Sequence, residues 1–185
     1  ETSAELAGMK LQLIDTPGFE DVHDTSLEAR MRAQTEQAIK EADLSLFIID
    51  VRAGVTPLDE RFAALLRQLD KPVVLAANKC EGKAAEEGLY EAYSLGFGEP
   101  VGLSAEHGEG LAELFSAIAR AVPSSIEEDD AEEEVHVPFD PDAEEPPEVP
   151  RTARLIIVGR PNAGKSTLIN SLLQSDRLLT GPEAG

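Results

Sequence analysis

The sequence predicts an α/β fold, with a mostly parallel sheet and helices on both of its faces. Short apolar runs rich in Val, Ile and Leu alternate with amphipathic stretches along much of the chain. This alternation is typical of buried parallel strands joined by covering helices. Near its end, the chain passes from one more apolar run through a glycine-containing turn into a helical pattern, as a further strand and helix would require.

Each predicted element has its own local signal. The strand candidates are apolar runs bounded by polar or turn-forming residues, at 10–15, 44–50, 72–77, 100–103 and 154–158. Helices are predicted where apolar residues recur at helical spacing, at 25–42, 58–69, 110–122 and 166–175. Thr25 or Ser26 would cap the first helix, because a hydroxyl oxygen accepts from the free N–H groups of a first turn.

Composition and charge argue against several classes of partner. The 185 residues carry a formal net charge of −20, and 4% of them are aromatic, with no Trp. Such an acidic chain is a poor binder of a nucleic-acid backbone or an anionic membrane, and it has few rings on which bases could stack. The apolar runs fall far short of the roughly 20 residues that span a bilayer, so we expect no membrane partner.

Cysteine content and the first residue indicate the setting of the protein. Cys80 is the single cysteine and cannot form a disulfide within the chain, which favours a reducing, cytoplasmic location. The chain begins with Glu1 rather than Met, so we expect an internal fragment of a longer protein, or a processed chain.

Charge and proline content divide the chain into three segments. Residues 123–150 contain 12 acidic residues and six prolines but no Lys or Arg. Such a segment cannot bury enough apolar surface to offset its chain entropy, so it should be disordered or extended. We interpret it as a solvated spacer or, alternatively, as an acidic docking segment. The predicted domains are residues 1–122 and 151–185, on either side of this linker.

The most specific motif matches G-x-x-x-x-G-K-[ST] and lies between a predicted strand and a predicted helix, the context that a P-loop requires. Its residues are Gly159, Arg160, Pro161, Asn162, Ala163, Gly164, Lys165 and Ser166. The backbone N–H groups of such a loop surround phosphates at a helix N-terminus. Lys165 would reach the β- and γ-phosphates, and the Ser166 hydroxyl would ligate Mg²⁺. The alternative is a glycine-rich turn without a ligand; we predict a nucleotide site.

A second motif follows the first predicted strand and reads Asp15, Thr16, Pro17 and Gly18. A carboxylate at the carboxyl end of a buried strand, next to a phosphate site, can hold Mg²⁺ through water. Gly18 would offer a backbone N–H to a γ-phosphate, since no Cβ blocks the approach. Taken alone, these four residues could also form an ordinary turn.

Two more loops could contact a nucleobase. One follows a predicted strand and reads Asn78, Lys79, Cys80 and Glu81. The Glu81 carboxylate could accept from the ring N–H and amino group of guanine, a donor pair that adenine does not present, while Lys79 would lie along the base. Ser104 and Ala105 follow the next strand, where small residues would let a backbone N–H approach the base oxygen. Each loop alone could be a polar turn at a strand end.

In combination and in this order, the motifs D-T-P-G, N-K-x-E and S-A resemble the third, fourth and fifth motifs of translation-factor-like GTPases. The stretch G-R-P-N-A-G-K-S-T, which ends at Thr167, resembles their first motif. Because the first motif comes last, behind an acidic linker, the chain resembles the end of one G domain joined to the start of another. This tandem order is similar to that of the Der (EngA) family of bacterial ribosome-assembly GTPases.

The resemblance implies a protein that binds and hydrolyses GTP with Mg²⁺ and acts in assembly of the large ribosomal subunit, with the 50S subunit or its rRNA as partner. It assigns residues 159–167 to a second G domain and residues 15–19, 78–81 and 104–105 to a first. Phe19 stands where many GTPases place a catalytic Gln, and an apolar ring cannot orient water. The resemblance implies K⁺ near the phosphates, with Asn162 as its ligand, so Lys165 and Asn162 are the expected catalytic residues. Glu81 departs from the family pattern, which mostly has Asp.

Two other functions stay open at this stage. The chain could be a circularly permuted single G domain in which all the motifs cooperate, or a nucleotide-binding or docking piece without turnover. Residues 1–122 lack a strand before a P-loop, so the strands at 10–15 and 44–50 would flank an empty slot. We expect the strand at 154–158 to fill it, because the linker spans roughly 30 Å even as a flexible coil.

Overall fold

The computed structural model describes residues 2–6, 9–16, 25–81, 84–122 and 152–179. Its strands are β1 (Thr2–Leu6), β2 (Met9–Asp15), β3 (Leu44–Asp50), β4 (Val73–Asn78), β5 (Val101–Gly102) and β6 (Thr152–Val158). Its α-helices are α1 (Thr25–Glu41), α2 (Pro57–Leu69), α3 (Ala84–Ala92), α4 (Leu111–Ala121) and α5 (Lys165–Leu179). Short 3₁₀ turns occupy Val51–Ala53 and Tyr93–Leu95.

Within these described ranges, the strands form one six-stranded sheet in the order β1-β2-β6-β3-β4-β5. The pairs from β2 to β5 are parallel, and β1 pairs with β2 in the antiparallel direction. The carboxyl ends of the parallel strands therefore meet along one edge of the sheet, where ligands of open α/β sheets bind.

The strand that precedes the P-loop, β6, lies in the middle of the sheet. Leu155 of β6 stands opposite Leu13 of β2 and Leu44 of β3. Asp43 fixes the register beside it, because its carboxylate accepts the Arg154 N–H at 2.7 Å and its own N–H donates to the Arg154 carbonyl at 2.9 Å. The expectation that this strand fills the slot between the strands at 10–15 and 44–50 is confirmed.

Helices cover both faces of the sheet. Successive side chains of a strand point to opposite faces, and in the central strands most of the side chains on each face are apolar. The cluster on the face of α4 and α5 includes Leu13, Leu46, Leu114, Leu155 and Leu172. The cluster on the opposite face, under α1 and α2, includes Ile39, Phe47, Phe62, Ile156 and Val158. Burying one such side chain stabilises a fold by about 1.5–3 kcal/mol, so β6 is held in place chiefly by this burial.

The α/β class and the mostly parallel sheet are confirmed, and the predicted strands and helices lie close to the observed ones. Two elements, β1 and α3, have no counterpart among the predicted ones. The predicted linker at 123–150 lies outside the described residues, and so does the segment after 179. Among the helices that the structure describes, none is long and apolar enough to cross a membrane.

Candidate nucleotide-binding site

The P-loop connects the buried end of β6 to the first turn of α5. Lys165 opens that helix and is buried although it carries a charge. Its ammonium donates to the carbonyl oxygens of Gly159 at 2.9 Å and Arg160 at 3.0 Å, so the side chain folds back across the loop. Burial lowers the pKa of Lys165, and the charge of Asp15 opposes that shift. An anionic ligand would stabilise this partly desolvated cation.

Two glycines let the P-loop lie against its neighbours. Gly159 has a φ of 155°, and a Cβ there would collide with the carbonyl oxygen of Ile48 in β3. Gly164 has a φ of 101°, and a Cβ there would collide with the side-chain nitrogen of Asn78. Both positions therefore require glycine for backbone angle and for space.

The Asn78 side chain connects three loops. This residue ends β4 and is buried. Its amide nitrogen donates to the Ala163 carbonyl of the P-loop at 2.8 Å, and its amide oxygen accepts the Ala105 N–H at 2.9 Å. Residues 78–81, called the base loop from here on, are thereby fixed against both the P-loop and the loop at 104–105.

Lys79 makes a second connection between the base loop and the P-loop. Its ammonium lies 2.6 Å from Asp50 Oδ2 at the end of β3 and donates to the Asn162 carbonyl at 3.1 Å. Lys79 and Asn162 both have left-handed backbone angles, with φ of 64° and 62°. The stem of Lys79 is thus held against the P-loop, as a side chain lying along a base would need to be.

The Glu81 carboxylate is held between Ser104 and Arg52. Its Oε1 accepts from the Ser104 hydroxyl, and its Oε2 pairs with Arg52 Nη2. The Ser104 hydrogen bond and the charges of Arg52 and His107 lower the pKa of Glu81, against an opposing effect of desolvation. The carboxylate is therefore ionised at neutral pH, as an acceptor of base N–H groups must be.

Arg160 of the P-loop contacts the first turn of α2 at Asp59, which is fully buried. Asp59 and Thr56 form a capping box, in which Asp59 Oδ2 accepts from Thr56 N at 2.9 Å and Thr56 Oγ1 at 2.7 Å. Arg160 Nε lies 3.5 Å from the same oxygen, and Arg160 Nη2 donates to the Asp50 carbonyl at 3.3 Å. The P-loop therefore contacts α2 and the end of β3, in addition to the base loop.

The end of β2 and the first turn of α5 place oxygen ligands suited to Mg²⁺. Asp15 ends β2 opposite Ile157 with its side chain exposed, and the Ser166 side chain is exposed in the first turn of α5. Thr16 is buried and donates its hydroxyl proton to the Ile157 carbonyl at 2.8 Å, which fixes the backbone after Asp15. A carboxylate and a hydroxyl are hard oxygen donors, the type that Mg²⁺ prefers, so these residues fit the ion.

The structure brings most of the predicted site residues to one edge of the sheet. The P-loop residues, Thr167 in the first turn of α5, Asp15, Thr16, the base loop and the loop at 104–105 all lie at the carboxyl ends of β2, β6, β4 and β5. Pro17, Gly18 and Phe19 lie outside the described residues. Burial and the charge of Glu81 raise the pKa of Cys80, which disfavours a reactive thiolate. Among the described residues, no three His, Cys, Asp or Glu side chains converge as a metal cluster.

Sequence reasoning missed three contributors to the site. Asp50 ends β3 and Arg52 follows it, and the rule that singled out Asp15, a polar residue at the end of a buried strand, applies to them equally. Asp59 stands third after Thr56 in the spacing of a capping box, before an amphipathic run. The spacing predicts a helix start but gives no sign that Arg160, about 100 residues later, contacts it.

A central strand that runs into a glycine-bounded loop with a buried lysine, beside loops suited to a base, defines a nucleotide-binding protein of the P-loop class. The chain belongs to the family described as "50S ribosome-binding GTPase", whose profile matches residues 1–79 and 154–185. The resemblance to GTPases that the motifs predicted is therefore confirmed at the level of this family.

Several curated relatives named GTPase Der are similar to this chain over nearly all of its length. The relative from Hyphomonas neptunium is 55% identical over 97% of this chain and 42% of its own length. The relative from Parvibaculum lavamentivorans is 51% identical over 100% of this chain and 41% of its own. The relative from Dinoroseobacter shibae is 53% identical over 100% of this chain and 40% of its own length. The chain thus spans about two fifths of the length of the relatives it matches.

One solved structure supports the fold. The crystal structure of a probable GTP-binding protein engB superposes with a TM-score of 0.52, over 65% of this chain and 80% of the other, at 22% identity. At that identity the likeness concerns the fold alone, which is a P-loop α/β domain.

Proposed function

We propose that this chain binds GTP at the edge of the sheet where the P-loop, the base loop and residues 104–105 meet. The observation that carries the proposal is the Asn78 side chain, which joins all three loops through hydrogen bonds of 2.8 and 2.9 Å. A single buried amide that connects a phosphate loop to two base loops couples recognition of the two ends of a nucleotide.

Phosphate binding falls to the P-loop and base binding to the other two loops. The backbone N–H groups of 159–166 surround the phosphates, and Lys165 leaves its two carbonyl partners to contact the β- and γ-phosphates. The Glu81 carboxylate accepts from the ring N–H and amino group of guanine. The loop at 104–105 lies beside the base, while Lys79 lies along the ring.

Mg²⁺ would be held by the Ser166 hydroxyl directly and by Asp15 through water. When bound, Mg²⁺ neutralises charge on the phosphate oxygens of the substrate. Asp15 also contributes negative charge near Lys165, which would offset part of the positive charge that the ammonium and a bound Mg²⁺ bring to the site. Thr16 keeps Asp15 in place through its hydrogen bond to Ile157.

Hydrolysis is proposed to proceed by in-line attack of water on the γ-phosphorus, with the β-phosphate oxygen of GDP as leaving group. Lys165 stabilises the charge on the phosphate oxygens as the bond breaks. We assign K⁺, with Asn162 as a ligand, the role of an additional cation near the phosphates. Asn162 is exposed at the outer turn of the P-loop, which leaves its side chain free to face a bound nucleotide.

For the longer protein, we propose the tandem arrangement of a Der-type GTPase that assists assembly of the 50S subunit in the cytoplasm. Residues 1–122 would then be part of a first G domain, residues 123–150 the acidic linker, and residues 151–185 the start of a second. The length of the curated relatives supports this division, and so does the interruption of the family match between its two segments, residues 1–79 and 154–185.

A second arrangement, favoured by the position of β6 between β2 and β3, is a circularly permuted G domain formed by this chain itself. In the longer protein, a P-loop strand belonging to the first domain would compete for the same slot. The two arrangements share the chemistry of the site and differ in which P-loop completes it.

Calorimetric titration of this chain with Mg²⁺ and GDP, GTP or ADP tests the proposal. We expect one guanine nucleotide per chain and much weaker binding of ADP, because adenine offers the Glu81 carboxylate no matching donor pair. Single-turnover hydrolysis of bound GTP then separates an enzyme from a binding module. Failure to bind GDP and GTP, or equal binding of ADP, would refute the proposed site.

A further inference from the structure

Arg52 is the one basic side chain of the described residues that pairs with the carboxylate of the base loop. Its Nη2 contacts Glu81 Oε2, while the Ser104 hydroxyl contacts the other oxygen. The Arg52 side chain is 54% exposed and that of Glu81 is 23% exposed, whereas Ser104 is buried. One oxygen of the carboxylate is therefore bound by the buried Ser104 hydroxyl, and the other by the solvent-exposed Arg52.

The position of Arg52 is itself fixed by the site. Asp50 ends β3, and its Oδ1 accepts the Arg52 N–H at 3.0 Å, which caps the 3₁₀ turn Val51–Ala53. The second oxygen of Asp50 holds Lys79 at 2.6 Å. The Asp50 carboxylate thus binds both the backbone N–H of Arg52 and the side chain of Lys79. These two contacts fix the position of Arg52 relative to the base loop.

The acceptor capacity of Glu81 matches what guanine would need. An ionised carboxylate offers about four lone-pair sites, and Ser104 and Arg52 take one on each oxygen. Neither side chain takes up a whole oxygen, so each oxygen can accept one of two N–H donors arriving side by side, with the backbone N–H of Glu81, which also donates to the carboxylate, giving way to them. The ring N–H and the amino group of guanine are such a pair, whereas hypoxanthine has the ring N–H alone.

We propose that Arg52 is a positioning residue for guanine specificity, which acts by holding the Glu81 carboxylate so that both of its oxygens face the base. The inference rests on the proposed guanine-nucleotide function and adds to it a residue outside the recognised motifs. A glutamate side chain has one more rotatable bond than that of an aspartate. Its carboxylate therefore needs a second anchor, besides Ser104, to stay in one orientation.

The test compares equilibrium affinities of GDP, IDP and ADP for the unmodified chain and for Arg52→Ala. Losing the anchor should weaken GDP binding about threefold to tenfold, the effect of roughly one hydrogen bond. IDP, which donates one N–H to the carboxylate where GDP donates two, should weaken less, so the ratio of GDP to IDP affinity falls. Arg61→Ala, at an exposed position of α2, removes the same charge elsewhere and should leave the ratio unchanged.

A double-mutant cycle separates this role from a general attraction between Arg52 and the phosphates. In a Glu81→Ala background, Arg52→Ala should have no further effect on GDP affinity, because the group that Arg52 positions is gone. The same loss in both backgrounds would overturn the inference, since Arg52 would then act independently of Glu81.

The outcomes distinguish the inference from the function beneath it. An unchanged ratio of GDP to IDP affinity in Arg52→Ala, in a chain that binds GDP tightly, overturns the role of Arg52 and leaves the proposed function intact. Absence of GDP binding by the unmodified chain overturns both. A lower ratio that depends on Glu81 supports both.

Discussion

Asn78 donates its side-chain amide to the carbonyl oxygen of Ala163 at 2.8 Å, although 85 residues separate the two in sequence. The donor lies at the end of β4 and the acceptor in the loop after β6, so the bond joins two of the three segments predicted from the sequence. Because Asn78 also accepts from Ala105, its side chain links the P-loop, the base loop and the loop at 104–105.

Replacing Asn78 with Ala should destabilise the chain and weaken nucleotide binding together. The change leaves the Ala163 carbonyl and the Ala105 N–H buried without these partners, at a cost of about 1–3 kcal/mol for each group. Urea unfolding measures the loss, and Asn170→Ala at an exposed position of α5 is the matched control. Equal unfolding free energies for the two variants would contradict the connecting role of Asn78.

Lys165→Met should abolish GDP binding and change the pH dependence of stability. Burial lowers the pKa of Lys165 from its ordinary value of 10.5, so the unfolded chain binds more protons between the folded-state pKa and that value. In that window, the contribution of Lys165 to the free energy of unfolding rises with pH. The free energy of unfolding should therefore rise less with pH in Lys165→Met than in Lys40→Met, which changes an exposed lysine of α1.

Urea unfolding over a series of pH values, without nucleotide, checks the second part of that prediction. Parallel pH curves for the two lysine variants would show that Lys165 is not desolvated in the folded chain. GDP binding by Lys165→Met with the affinity of the unmodified chain would remove the phosphate role.

Arg160→Ala should destabilise the chain by about 3 kcal/mol, because it leaves the buried Asp59 carboxylate without its cation. Adding Asp59→Asn should recover part of this loss, since the neutral amide still offers an oxygen to Thr56. Thermal or urea unfolding of the single and double variants provides the comparison, with Arg61→Ala as control. A double variant less stable than Arg160→Ala alone would argue against a charge effect.

Much of the fold could be predicted because its central strands are continuous apolar runs that end in polar residues. β1 could not, since residues 2–6 form an edge strand with a weak pattern. α3 contains Gly88, which disfavours a helix by propensity. A Cβ at Gly88 would collide with the Val51 carbonyl, so tertiary packing explains a residue that looks like a helix breaker.

The loops of the site could be predicted from short motifs, but their mutual contacts could not. G-x-x-x-x-G-K-[ST] carries its own backbone geometry, whereas the bond from Asn78 to Ala163 depends on how β4 and β6 are ordered in the sheet. Arg52 belongs to no recognised motif, and its importance becomes visible once Glu81 is seen beside it. The chemistry of each loop can therefore be predicted from its own motif, whereas the contacts between loops depend on the order of the strands.

Asn162→Gly in the full-length protein should reduce the stimulation of GTP hydrolysis by K⁺ relative to Na⁺. Glycine accepts the left-handed φ of 62° at this position, so the change removes the amide oxygen without straining the loop. Steady-state rates in KCl and NaCl, with Asn170→Gly as control, make the comparison. Equal rates of the unmodified protein in the two salts would remove the cation from the proposed mechanism.

The central claim is that residues 152–179 and residues 2–122 form one sheet and one nucleotide site. Amide hydrogen exchange at Leu155–Val158 of this chain tests it most directly, because these residues lie between β2 and β3. We expect slow exchange in the intact chain, and loss of that protection once the chain is cut within residues 127–134 and the two pieces are separated. Fast exchange throughout Leu155–Val158 in the intact chain would contradict the claim.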